Sequence, residues 1–395
     1  MGRICDRCGG VFEVRRRIKV LLVILSVVQI VIMSSCGKSS DQDEWLDQAG
    51  LDKEETVEEL YQKALQEDVL VVYTVSTRAT QTKEAFEAAY PGLYVEIRDL
   101  RSPNLVEEVV NNYNNGLSDC DVILCNDNSG EFKEKIVDTG IAVPYLPSDI
   151  SSHMKEAGNE GMVSFVYEAE MIFYNSARYD DCPVENIWEL ADPKFENRIY
   201  MPNPLHSFST YAFCGSVFEH EDELAAAYRD LYGHDPETGG LSAAEYFWTE
   251  ISKNVVFTNS SDEVLEALGS GAADFGIMVS SKLRFMDLGY DMAPVYRLEP
   301  FCGCRTSFSA MIARNSRNVN TAKLFIRFLL GESDGSGDGY KPFCTEGTWS
   351  VRDDVPDGST VPLEDIDLIA PDQDYLIENG ARLEDFWTKI LETKG

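Results

Sequence analysis

Residues 69–74 read VLVVYT and residues 121–125 read DVILC. Each is an apolar run about one strand long. Runs without polar alternation belong to strands covered on both faces. Between them Ala85, Phe86, Ala89 and Tyr90 share one helical face, which Pro91-Gly92 stops. Leu93, Val95 and Ile97 then alternate as a second strand. Leu105, Val106, Val109, Val110 and Tyr113 form the stripe of a second helix, which ends at Asn114-Asn115-Gly116. Phe132, Ile136 and Val137 mark a third helix, closed by Gly140. Strands separated by helices of this length predict right-handed crossovers and a parallel sheet.

The scheme recurs downstream. Strands are expected at 198–201, 255–257 and 275–279, and helices at 209–218, 260–269 and 282–288. Ser260 and Glu263 have the spacing of a capping box. The segment 220–251, split by His234-Asp235-Pro236-Glu237-Thr238-Gly239-Gly240, reads as a decoration outside the sheet.

A chain of 395 residues suits two or three domains. Its 34 basic and 68 acidic residues give a net charge of -34, which repels phosphate backbones and excludes nucleic acid as a partner. Near the N-terminus, Arg15, Arg16, Arg17 and Lys19 precede an apolar stretch from Val20 to Met33. About 14 residues fall short of a membrane span but suit the core of a signal peptide. Met33-Ser34-Ser35-Cys36 is similar to a bacterial lipobox, so residues 1–35 are expected to be a lipoprotein signal peptide and Cys36 the lipidated residue. Cys5-Asp6-Arg7-Cys8 has half the spacing of a zinc ribbon without its second half, and a start at Val14 would account for it. Residues 36–68 read as an acidic tether leading into one helix. The body is then held at the outer face of the cell membrane. Seven cysteines remain: Cys120, Cys125, Cys182, Cys214, Cys302, Cys304 and Cys344. Their number is odd, so they cannot all pair. Cys125 and Cys214 suit core positions, and one bridge is conceivable between the Cys302-Gly-Cys304 pair and Cys344.

The ordered pieces VVYT…TKEAFEAAYPG, SDCDVILCND, TGIAVPYLP, MIFYNSA, NIWELADPKFENRIYMPNP, GSGAADFGIMV, SAMIARNSRNVNTAKLFIRFLL and LIAPDQDYLIENGARLEDFWTKIL run through nearly the whole chain past residue 70. Together they resemble the type 2 periplasmic binding proteins, in the branch with ferric-iron, thiamine, phosphonate and sugar-phosphate binders. The resemblance implies an α/β fold of two doubly wound, Rossmann-like lobes joined by two hinge crossings, near Val166–Met171 and Arg305–Ala310. Lobe one would be 69–168 plus 305–395 and lobe two 169–304, with the ligand cleft between them. It implies the solute-binding lipoprotein of an ABC importer, a monomer without cofactor that delivers a small solute to membrane permease subunits. The alternatives are a ferric-iron or iron-chelate binder and a sensory module that presents ligand to a two-component histidine kinase.

Open parallel sheets bind ligands at the carboxyl ends of their strands. That singles out Ser76-Thr77-Arg78, Asn126-Asp127-Asn128, His206-Ser207 with Ser209-Thr210, and Ser280-Ser281-Lys282. Hydroxyls and backbone N–H groups at helix starts favour an anion, and Arg78 adds a bidentate charge. In the iron binders the metal is gripped by a histidine, a glutamate and a tyrosine pair. Those positions fall here on Ala79, near Asn126, and near Ser281-Lys282, so no metal site is expected. Lys282 and Arg284 suit a negatively charged organic ligand, such as a phosphorylated sugar or a phosphonate. The four histidines form no metalloprotease motif, and nucleophile elbow and P-loop are lacking, so no catalytic residue is assigned and the chain is not read as an enzyme.

Overall fold

The computed structural model describes residues 44–126, 129–156, 161–332 and 336–394. Cys5, Cys8, the arginine cluster and Cys36 lie outside them. The chain divides into residues 1–53 and 54–395. Of the first unit, residues 44–49 are helical.

The second unit starts with helix α1 (Val57–Ala64), whose cap Thr56 and Glu59 satisfy each other's backbone donors. The sequence reading kept this helix with the tether, but its surroundings make it part of the body. Glu67 accepts from the N–H groups of Asn320 and Thr321, at 3.0 and 2.8 Å, where helix α8 (Val319–Leu329) begins. Lys323 of α8 donates to Glu55 at 2.8 Å, with only 2% and 8% of the two side chains exposed.

Strand β1 (Leu70–Thr74) pairs in parallel with β2 (Val95–Asp99) and β3 (Val122–Cys125), and helices α2 (Ala79–Ala89) and α3 (Ser102–Asn114) make the crossovers. The later half repeats the order. Strand β5 (Ile199–Pro202) lies between β6 (Val255–Thr258) and β7 (Phe275–Val279), with helices α4 (Phe208–Glu219) and α7 (Ser261–Gly269) following β5 and β6. Two long antiparallel strands join the halves: β4 (Val163–Tyr174) and β8 (Gly303–Ala313). β8 pairs with β3, β4 pairs with β7, and the whole path runs β2-β1-β3-β8-β4-β7-β5-β6. The register of the central pair slips between Phe308 and Ser309, a bulge. At its other end Gly303 faces Met171 so closely that a Cβ would stand 2.3 Å from the Glu170 carbonyl oxygen. Both expected crossings lie within these two strands.

The apolar side chains form separate cores. One gathers Tyr73, Leu105, Ile123, Phe132 and Met311; the other gathers Trp188, Phe213, Phe247, Trp248 and Phe275. The C-terminal helices α9 (Gln373–Glu378) and α10 (Gly380–Lys394) contribute Leu376, Leu383 and Trp387 to the second core, although the sequence reading placed all of 305–395 with the first. The reason is Trp387, fully buried against Trp248 with ring centroids 5.1 Å apart. The segment read as a decoration supplies α5 (Glu221–Tyr232) and α6 (Ala243–Ser252), and α6 brings Phe247 and Trp248 into that same core.

Four local expectations change. Lys133–Val137 winds as a π-helix, and Ser280–Leu288 as a 3-10 helix. Ser260 accepts from the Glu263 N–H, but the Glu263 carboxylate reaches the N–H of Asn259, so the box is not reciprocal. All seven described cysteines are free; Cys302 donates to the Asp367 carbonyl at 3.3 Å instead of bridging. No described helix is long and apolar enough to cross a membrane.

Lys63 also pairs with Glu55, from an exposed position, so removing Lys323 leaves the buried carboxylate with its solvent-screened partner. Lys323→Ala is therefore expected to lower the unfolding free energy by about 2 kcal/mol, read from the urea midpoint at constant m-value.

Candidate ligand cleft

Three strands end at one depression. The turn after β1 supplies Ser76, Thr77 and Arg78; Asn126 follows β3; Ser281 and Lys282 follow β7. The start of α4 adds Ser207 and Ser209. These eight residues, taken from both halves of the sheet, line one cavity of about 200 Å³. Asp127 and Asn128, named with Asn126, lie outside the described residues.

Three other expected residues do not line the cavity. His206 is exposed and does not line the cavity. Thr210 is fully buried and donates to Glu170 at 2.7 Å. Ser280 accepts from the Ala169 N–H at 2.9 Å and donates to the Gly347 carbonyl at 2.5 Å, pinning strand end to C-terminal segment.

The cavity also has walls that strand-end logic passed over. Ser102 opens α3, and Ser260, Ser261 and Asp262 open α7, in the loop after β6. Glu168 and Phe308 rise from the central pair β4/β8. A signal for Glu168 exists in the sequence: it is an acid inside the apolar run 163–174. Four α-helices, α2, α3, α4 and α7, thus direct their N-termini at one small volume, and each carries partial positive charge there.

The charges are partly matched. Arg78 is 6% exposed and pairs with Glu168 through Nη2. Its Nε donates to Ser76 Oγ at 3.3 Å, and its guanidinium carbon lies 4.5 Å from the centre of the Phe343 ring. Its Nη1 is buried without a hydrogen-bond partner among the described residues. Lys282 pairs with Asp262; burial still pulls its ammonium below the ordinary lysine value. Arg284 donates to the Ser281 carbonyl, and burial followed by the charge of Arg78 pushes its guanidinium down to about 10. Among the described residues three cations therefore face two carboxylates, and Glu168 and Asp262 offset in part the repulsion that Arg284 meets from Arg78.

Behind this wall sits Glu170, fully buried on β4. Burial pushes its carboxyl up to about 7, against the hydroxyls of Thr210 and Ser209, which favour the charged form.

The geometry has relatives. A family model described as bacterial extracellular solute-binding protein matches residues 69–334. No curated protein is similar enough in sequence to count as a relative. Among solved structures, the substrate-binding protein of an ABC transporter from Agrobacterium tumefaciens superposes with a TM-score of 0.64 at 15% identity, covering 82% of this chain and 94% of that one. The periplasmic binding protein AfuA from Actinobacillus pleuropneumoniae, solved with fructose-6-phosphate, gives 0.60 at 17% identity over 82% and 98%. Iron-bound HitA from Pseudomonas aeruginosa gives 0.59 at 17% identity over 82% and 99%. At these identities the likeness shows the two-lobed α/β fold.

A carboxyl whose folded pKa lies above its unfolded value stabilises the fold below the unfolded value, and that contribution is lost as pH rises through the folded one. Glu170→Gln should remove this loss. From about pH 4.5 to pH 8 the wild type is expected to lose up to about 3 kcal/mol relative to the variant, checked by urea titrations across that range.

Proposed function

We propose that this chain, which belongs to the bacterial extracellular solute-binding proteins, captures a small organic anion outside the cytoplasmic membrane and delivers it to the permease of an ABC importer. One observation carries the ligand class. Arg78, Lys282 and Arg284 line a cavity at which four helix N-termini converge, and among the described residues only Glu168 and Asp262 oppose them there. A phosphate, phosphonate or carboxylate would supply the missing negative charge and accept from Arg78 Nη1 and from the serine hydroxyls.

Bare ferric iron suits the cavity poorly. Hard Fe(III) needs several anionic oxygen donors. Among the described residues, the two carboxylates that line the cavity are held by Arg78 and Lys282, and no tyrosine lines it. Nor does the cavity offer a histidine as a base: His153 pairs with Asp353 elsewhere, and His206 stays outside. The chain's charge of -34 opposes an anion at long range, but salt at about 0.15 M screens charges beyond about 8 Å, so the cavity's own groups dominate. We read residues 1–35 as the signal peptide and Cys36 as the lipid anchor, on the basic cluster, the short apolar stretch and the small residues before the cysteine.

Calorimetry with organophosphates and phosphonates tests the ligand class. Charge-assisted hydrogen bonds contribute about 1.5–3 kcal/mol each, so Arg78→Ala is expected to weaken binding about tenfold or more. Tight binding of free Fe(III) or spermidine, with no heat from any organic anion, sinks the reading. Anchoring has its own check: Cys36→Ala should abolish palmitate labelling and leave an unprocessed precursor.

A further inference from the structure

The cavity does not end at its two arginines. Arg78 and Arg284 also line a second cavity of about 320 Å³, with Gln81, Asp338, Lys341 and Thr345 as further walls. The two guanidiniums are thus shared partitions between adjoining chambers. Arg78 is held as a fixed plane, with Glu168 on Nη2, Ser76 on Nε and the Phe343 ring against its face. Its remaining nitrogen, Nη1, is buried and unmatched among the described residues. In the second chamber the Thr345 hydroxyl is likewise buried without a partner. Among the described residues three cationic side chains line that chamber, Arg78, Arg284 and Lys341, against the single carboxylate of Asp338. Unmatched buried donors beside excess positive charge are the donor set of an anion site.

We infer that this second chamber is an anion subsite, and that the solute is a small organic bis-anion whose two acidic groups lie on either side of the Arg78–Arg284 partition. The inference rests on the anion reading of the first chamber and deepens it. A planar guanidinium presents five donors, so one arginine can serve acceptors on two sides. Lys341 would meet the second acidic group only.

The test compares butyl phosphate with a series of diol bisphosphates of increasing spacer length, by calorimetry on the mature protein. The best bisphosphate is expected to bind about tenfold or more tightly than the monophosphate. Lys341→Ala, at an exposed position, should collapse that ratio to about the twofold that two equivalent phosphates give by statistics alone. Equal affinity for monophosphate and every bisphosphate, or a ratio untouched by Lys341→Ala, overturns the second subsite while leaving the first intact. If neither class binds, the anion reading fails, and the subsite fails with it.

Discussion

The hydrogen-bonded ladder between β4 and β8 is the constraint on which the rest depends. Each half of the sheet presents an unpaired edge, and an unpaired edge is costly unless another strand covers it. β8 closes the edge of β3, β4 closes the edge of β7, and the two close each other. Gly303 shows how tight that closure is, since no side chain could fit against the Glu170 carbonyl. Because the joined halves both direct their strand ends at the same place, the cleft follows from the ladder.

The cleft balances attraction against self-neutralisation. A site built only of cations would bind anions and also destabilise the empty protein through like-charge repulsion. Here Glu168 holds Arg78 and Asp262 holds Lys282. Arg284 is the group left over, and its guanidinium value is lowered first by burial and then by facing Arg78. On the anion reading, a bound anion would relieve that repulsion, so part of its binding energy would come from the protein's own unmatched charge.

The sequence showed the strands because β-branched runs buried on both faces leave an unmistakable pattern, and the loops after β1, β3 and β7 followed from topology. The eight cleft residues, with Ser207 and Ser209 after β5, share one property: each lies within seven residues of a strand end. What escaped was pairing across sequence distance. Nothing local in Ser76-Thr77-Arg78 announces that its arginine meets an acid 90 residues away. Thr210 and Ser280 were misjudged for the opposite reason. They have the right residue type in the right loop, but their hydroxyls are committed to Glu170 and Gly347. The allegiance of the C-terminal helices was equally hidden, since an amphipathic stripe tells that a face is buried but not against which core.

The bulge at Phe308 and Ser309 has a mechanical meaning. A ladder with one broken step is soft to torsion there and stiff elsewhere. It falls where β8 passes from one half of the sheet to the other, and Phe308 lines the cavity. Relative rotation of the lobes is then a twist of a continuous ribbon, with a restoring torque, and not the free swing of two bodies on loose string. The compliant step borders the cavity at Phe308, so a solute held there would touch the joint itself, without a relay through distant parts of the molecule.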